Sequence, residues 1–155
     1  MKFKHLAIVG MIAVITVGCA NESNTPNTKQ TETPTTPKST IVSSGGGAGA
    51  FKAGEHPTQG RVQVISEQGK RYLEFDKDFK TDKGPDLYVI LHRSDAPPQS
   101  GIKEKDYVSV AQLQKISGTQ RYAVPETVNL AEFKSVAIWC RKFNATFGYA
   151  PLASS

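Results

Sequence analysis

One sulfur atom and two imidazoles are the groups beyond the first twenty residues whose chemistry exceeds packing and charge. Cys140 closes the apolar run Ser135-Val-Ala-Ile-Trp-Cys140 and is followed by Arg141-Lys142. Strand alternation sets Val136, Ile138 and Cys140 on one face, with Ala137, Trp139 and Arg141 on the other. The sulfur then sits at the strand's exit, at the rim of the core, where a ligand can reach it. Its cationic neighbours favour the thiolate, the form that binds metals and reacts. The same residue type often serves as a small apolar core side chain, and the run itself leaves both readings open. His92 ends Leu87-Tyr-Val-Ile-Leu-His92 on the face of Tyr88 and Ile90, and His56 lies in the loop Gly54-Glu-His56-Pro-Thr58. Thiolate and imidazole suit copper, iron and zinc. His56 and His92 are therefore candidate co-ligands for a haem or transition metal at Cys140, and hydrogen-bonded surface histidines are the alternative. Trp139 and Tyr88 would shape that site, or pack the core.

No spacing fixes the prosthetic group. The chain has no CxxC, no CxxCH for covalent haem and no HExxH. The acidic run Asp76-Lys-Asp-Phe-Lys-Thr-Asp82 fails as a calcium loop, with Lys80 where an oxygen ligand belongs and Thr81 where a glycine must turn. A typical blue-copper site needs two His, a Cys and usually a Met, but neither His nor Met follows Cys140. There is no GxSxG elbow and no evident Ser-His-Asp grouping. Glu74 with Asp76 reads as a solvated strand edge. No catalytic residue emerges, so the residues do not point to a classical enzyme.

Two ends of the chain frame these residues. Of the 155 residues, 1–18 form an export leader: a basic start, Met1-Lys-Phe-Lys-His5, then the apolar run from Leu6 to Val17. That run falls short of the roughly 20 residues needed to span a bilayer as a helix. It closes in Thr16-Val-Gly-Cys19, which resembles a bacterial lipobox and implies a lipid on Cys19. The expected address is the extracytoplasmic face of a bacterial membrane, in the periplasm or at the cell surface. Lys2 and Lys4 leave with the leader while all 14 acidic residues stay, so the formal charge falls from +5 to +3. The cations are scattered, without the basic stripe of a nucleic-acid binder. With Cys19 lipidated, Cys140 has no partner within the chain in an oxidising compartment.

Residues 19–49 are rich in Thr, Pro, Ser and Gly, and read as a disordered tether. Its reach is on the order of 30 Å. Residues 50–152 carry short alternating blocks separated by turn residues, the pattern of an all-β domain. Strands are expected at 61–65 and 71–75 as a hairpin, at 87–92 in a central position, and at 107–113, 120–124, 136–140 and 143–149. Lys83-Gly-Pro-Asp86 is a turn, and only 130–133 suggests a helical turn. Six to eight strands in this length predict a β-sandwich or small barrel.

Three stretches in order carry a family resemblance: Phe51-Lys-Ala-Gly-Glu-His56-Pro-Thr-Gln-Gly60, Phe79-Lys-Thr-Asp-Lys-Gly-Pro-Asp-Leu-Tyr-Val-Ile-Leu91, and Ser135-Val-Ala-Ile-Trp-Cys-Arg-Lys-Phe143 through Phe147-Gly-Tyr-Ala150. With Gly118 to Tyr122 and Pro125 between them, they resemble the DM-thirteen domain, also called the electron-transfer DM domain, over residues 50–152. That family is associated with DOMON-type cytochrome domains in animals and occurs as free-standing lipoproteins in bacteria. The resemblance implies that Cys140 is the redox residue, as a bare thiol or as a ligand to haem or another group, and that a redox partner protein exists. His56 falls inside a matching motif. A binding or envelope-structural module with an inert Cys140 is the alternative.

Overall fold

The computed structural model describes residues 47–153. The leader, Cys19 and the tether up to residue 46 lie outside the described residues. Among the described residues there are eleven strands and two 3-10 turns. They are β1 (Ala48–Ala50), β2 (Lys52–Ala53), β3 (Thr58–Gln59), β4 (Arg61–Glu67), β5 (Lys70–Phe75), β6 (Lys80–Thr81), β7 (Leu87–His92), β8 (Tyr107–Gln112), β9 (Gln120–Val124), β10 (Ser135–Cys140) and β11 (Ala145–Pro151). The 3-10 turns are Glu104–Asp106 and Leu130–Glu132.

Two antiparallel sheets face each other. One runs β1-β4-β5-β9 and the other β2-β11-β10-β7-β8, with β3 and β6 forming a small third pair. Alternation sends Val62, Val64, Leu73, Phe75 and Tyr122 inward from the first sheet. Leu87, Val89, Leu91, Val136, Ile138 and Cys140 point inward from the second, so both inner faces close one core. This is the expected all-β sandwich. β7 and β10 are interior strands of the larger sheet, and β10 is buried at all six positions. Its outer side chains, Ala137 and Trp139, form a second small core with Ile90 and Ile102. Ile102 comes from the loop after β7, which is bonded to the sheet by Thr146 Oγ1 donating to the Pro98 carbonyl at 2.6 Å. That strap explains why β10 reads as apolar on both faces.

The hairpin β4–β5 forms as its alternation predicts. Gln68 and Gly69 both have positive φ, the two-residue turn that matches strand twist. The last residues of the span read as tether form a strand: Ala48–Ala50 pairs with β4. Gly49 permits this, because a Cβ there would collide with the Pro151 carbonyl. The expected strand from residue 143 starts instead at Ala145, since Phe143 and Asn144 belong to the turn.

Register gives the sandwich two poles. Ser135 pairs with both His92 and Pro151 at one end, and Cys140 pairs with Leu87 and Ala145 at the other. Gly47, where the described chain begins, lies against Leu152 and Ala153 at the first pole. The Cys140 pole is therefore the end remote from Gly47.

Candidate functional site: the Cys140 pole

Cys140 ends β10 at the rim position that alternation predicts, but it is not reachable there. It is free, 0 % exposed and part of the main apolar core. What seals it is non-local. Gly84, in the loop before β7, approaches the Leu87 side chain and the Phe147 ring so closely that a Cβ would lie 2.7 and 2.9 Å from them. The Gly-Pro-Asp turn thus tolerates no side chain at Gly84.

The turn 141–144 closes the same pole. Arg141 N–H donates to the Asp86 carbonyl at 3.0 Å, and its Nε donates to Asp86 Oδ2 at 2.9 Å. The Arg141 guanidinium also lies 4.6 Å above the Tyr88 ring. Asp86 raises the Arg141 pKa above its ordinary value, so this charge is engaged on the outer face instead of at the sulfur. Lys142 lies over the exposed ring of Phe143. On the other side, Trp139 Nε1–H donates to Asn144 Oδ1 at 3.0 Å, and Asn144 Nδ2 donates to the Ile102 carbonyl at 3.1 Å. Asn144 has φ 48°, a left-handed position that asparagine accepts more readily than most residues. Trp139 and Tyr88 therefore lie on the sheet's outer face, opposite the face to which Cys140 points.

The two histidines separate. His92 is five residues from the Cys140 end of the β7–β10 ladder, about 17 Å at strand spacing, and on the opposite face. It is 2 % exposed, and the Ser94 N–H donates to its Nδ1 at 3.0 Å. Its Nε2 is buried with no partner. The structure does not bring His92 to Cys140. Burial holds the His92 pKa below its ordinary value, against the pull of Asp106. The unfolded chain consequently takes up a proton near pH 6.5 that the fold resists. The contribution of a neutral His92 is fully present above pH 6.5 and is lost as pH falls towards the depressed folded value. Urea unfolding between pH 7 and 5 should show a pH slope that His92→Gln reduces by at most one proton; an unchanged slope would contradict this.

His56 does lie at the Cys140 pole. The pairing Thr58↔Thr81 and Gln59↔Lys80 runs the loop before β3 alongside the loop after β6. This brings His56 Nδ1 to 3.0 Å from Asp82 Oδ2. The His56 N–H also donates to the Phe147 carbonyl at 3.1 Å, and its ring stacks on Phe147 with centroids 3.8 Å apart and planes at 28°. Phe147 is two residues along β11 from Ala145, the partner of Cys140, and shares the core with that sulfur. Asp82, Phe147, Asn144 and Asp86 are the site residues that sequence reasoning missed. Asp82 and Asp86 stood in a quoted motif, but nothing in it announced their partners 26 and 55 residues away.

Among the described residues, no group of three or more His, Cys, Asp and Glu is gathered to hold a metal ion. A thiolate–imidazole metal centre at Cys140 would require the sulfur to leave the core. A haem needs an apolar crevice beside its donor as well as one ligand, and the residues flanking His56, among them Glu55, Pro57, Asp82 and Lys83, are exposed.

The family described as "Electron transfer DM13" has a model that matches residues 50–152. No curated protein and no solved structure matches the chain.

Proposed function

We infer the function from one premise: the chain belongs to the electron-transfer DM13 family. We propose that it is a lipid-anchored extracytoplasmic protein whose β domain, residues 50–152, carries electrons at the Cys140 pole. Within the matched span Cys140 is the only cysteine, and it closes a strand at the pole remote from Gly47. That placement is the observation that carries the reading.

Cys140 is the redox residue in this proposal, and the turn 141–144 is its gate. In this proposal the sulfur is reached when the turn opens, Asp86 releases Arg141, and Cys140 swings out of the core at the end of β10. A thiolate freed in this way attacks a disulfide: a new S–S bond forms to Cys140 and the other sulfur departs as thiolate. Oxidised glutathione offered to the folded chain should therefore form a mixed disulfide on Cys140, and Cys140→Ala should abolish it. The complete burial of the sulfur favours a second reading, in which Cys140 is core packing in a binding or envelope-structural module. A sulfur that stays unmodified until the domain unfolds belongs to that reading.

The anchor is a separate part of the proposal. Gly18 before Cys19, after a short apolar run, supports lipid attachment at Cys19. A single substitution, Cys19→Ser, should move the protein from the membrane fraction to the soluble fraction. Unchanged partitioning would refute the lipid anchor.

A further inference from the structure

We propose that His92 is a proton-operated latch: its neutral ring pins the root of the segment 93–106 to the larger sheet, and its protonation lets that root go. Mild acid then uncovers the outer apolar cluster while the two sheets stay closed. The inference does not depend on the redox role of Cys140.

The segment is a strap fastened at both poles. It leaves β7 at His92 and returns at Tyr107, the residue paired with His92 in the β7–β8 ladder. Between them it crosses the outer face of the sheet, where Ile102 packs with Ile90, Ala137 and Trp139. Its far end is tied near Cys140: the Thr146 N–H donates to the Gln99 carbonyl at 2.6 Å, and the Gly101 N–H donates to the Asn144 carbonyl at 3.0 Å. At its root the Arg93 N–H donates to the Asp106 carbonyl at 3.0 Å, and the Ser135 hydroxyl donates to the Ser94 carbonyl at 2.7 Å. The Ser94 N–H donates to His92 Nδ1 at 3.0 Å. Of these acceptors only the imidazole titrates between pH 5 and 7.

That last bond fixes the state of the ring. Nδ1 accepts from a backbone N–H and so carries the lone pair, which leaves the proton of the neutral ring on Nε2. Nε2 is buried with no partner, and the residue is 2 % exposed. A second proton must enter on Nδ1, opposite the Ser94 N–H, where two donors would meet and the bond is lost. It also brings a full charge to a site where one N–H already lacks an acceptor. Opening the root lets water reach the ring and relieves both.

Charged groups reach this end from each element around it: Arg93 and Asp95 on the strap, Glu104, Lys105 and Asp106 in the turn before β8, and Glu132 and Lys134 before β10. On β8 the titratable neighbour is Tyr107. Arg93 is committed to Glu132 at 2.7 Å, and all these charged groups except Asp106 are exposed. Burial opposes the charged ring and outweighs the pull of the Ser94 backbone and of Asp106. The ring is ordinary in the open strap and depressed in the closed one. The hold is therefore complete above about pH 6.5 and is lost as pH falls towards the depressed value.

The test is amide hydrogen exchange of the full chain in detergent between pH 7.5 and 5, with each rate corrected for the intrinsic pH dependence of exchange. At pH 7.5 the amides of residues 94–103 should be less protected than those of the β4–β5 hairpin, as a local opening requires. Below pH 6.5 their protection should fall by up to about 10-fold per pH unit, the slope of one proton. His92→Asn keeps an acceptor for the Ser94 N–H but does not titrate, so it should flatten that slope, and His56→Gln should leave it intact. In the parent alone, strap protection that is flat with pH, or that equals hairpin protection at every pH, would overturn the proposal. So would an acid slope that survives in His92→Asn or vanishes in His56→Gln.

Discussion

Trp139→Ala is expected to lower the unfolding free energy by about 3–5 kcal/mol, and to loosen the cover over Cys140 at the same time. Trp139 is 5 % exposed and packs with Ile90, Ala137 and Ile102, with the Tyr107 ring 5.0 Å away. Removing the indole empties most of the small outer core, and the strap and sheet cannot collapse freely because hydrogen bonds fix both. The same indole N–H holds Asn144, and Asn144 holds Ile102. Denaturant unfolding reads the first effect, and hydrogen exchange over residues 141–145 reads the second. Trp139→Phe separates them: most apolar area stays, but Asn144 Oδ1 loses its donor, at a cost of about 1–3 kcal/mol. If Trp139→Ala left the exchange of the turn unchanged, the indole would be packing alone.

Gly60→Ala should cost about 3 kcal/mol or more, from two sources that add. Gly60 has φ 101°, which side chains seldom adopt. A Cβ there would also run into the Phe79 backbone and lie 2.9 Å from Asp76 Oδ1. The Gly60 carbonyl accepts from the Phe51 N–H at 2.8 Å, so this corner fixes both ends of the loop that carries His56. Gly69→Ala is the control. Its φ is 78°, but nothing lies within 4 Å of the added Cβ, so only the backbone strain remains, about 1 kcal/mol. Equal losses at the two glycines, measured by chemical denaturation, would show that the Phe79 contact contributes nothing.

The readable parts of the fold were those with enough residues to show a period. Arg61–Glu67 and Lys70–Phe75 alternate, and a two-residue turn joins them, so the hairpin was legible. Leu87–His92 and Ser135–Cys140 were legible as interior strands because apolar residues occupy both faces. The strands β1, β2, β3 and β6 have two or three residues each, several of them Gly, Lys or Thr, and no period can appear in so short a run. Their pairing is set by the partners they meet, as when Gly49 fits against Pro151.

The site was legible in position but not in access. Alternation placed Cys140 on the inner face at the strand's end, and the charged pair Arg141-Lys142 suggested an open rim. The seal comes from residues distant in sequence: Asp86 on Arg141, Ile102 on Asn144, and Gly84 against Leu87 and Phe147. For the same reason the two histidines were indistinguishable in sequence. Strand register sends His92 to the opposite pole, and the β3–β6 pair brings His56 beside Asp82.

The most direct test of the redox role of Cys140 is its modification rate in the native chain, followed by peptide mass mapping across a range of sub-denaturing urea concentrations. A gated sulfur is modified through a local opening, so its rate should be nearly independent of urea well below the unfolding transition. Arg141→Ala, which removes the Asp86 contact, should raise that rate several-fold with little change in global stability, as expected for an exposed ion pair. A rate that tracks global unfolding at every urea concentration, and that ignores Arg141→Ala, would contradict the account and leave Cys140 as part of the core.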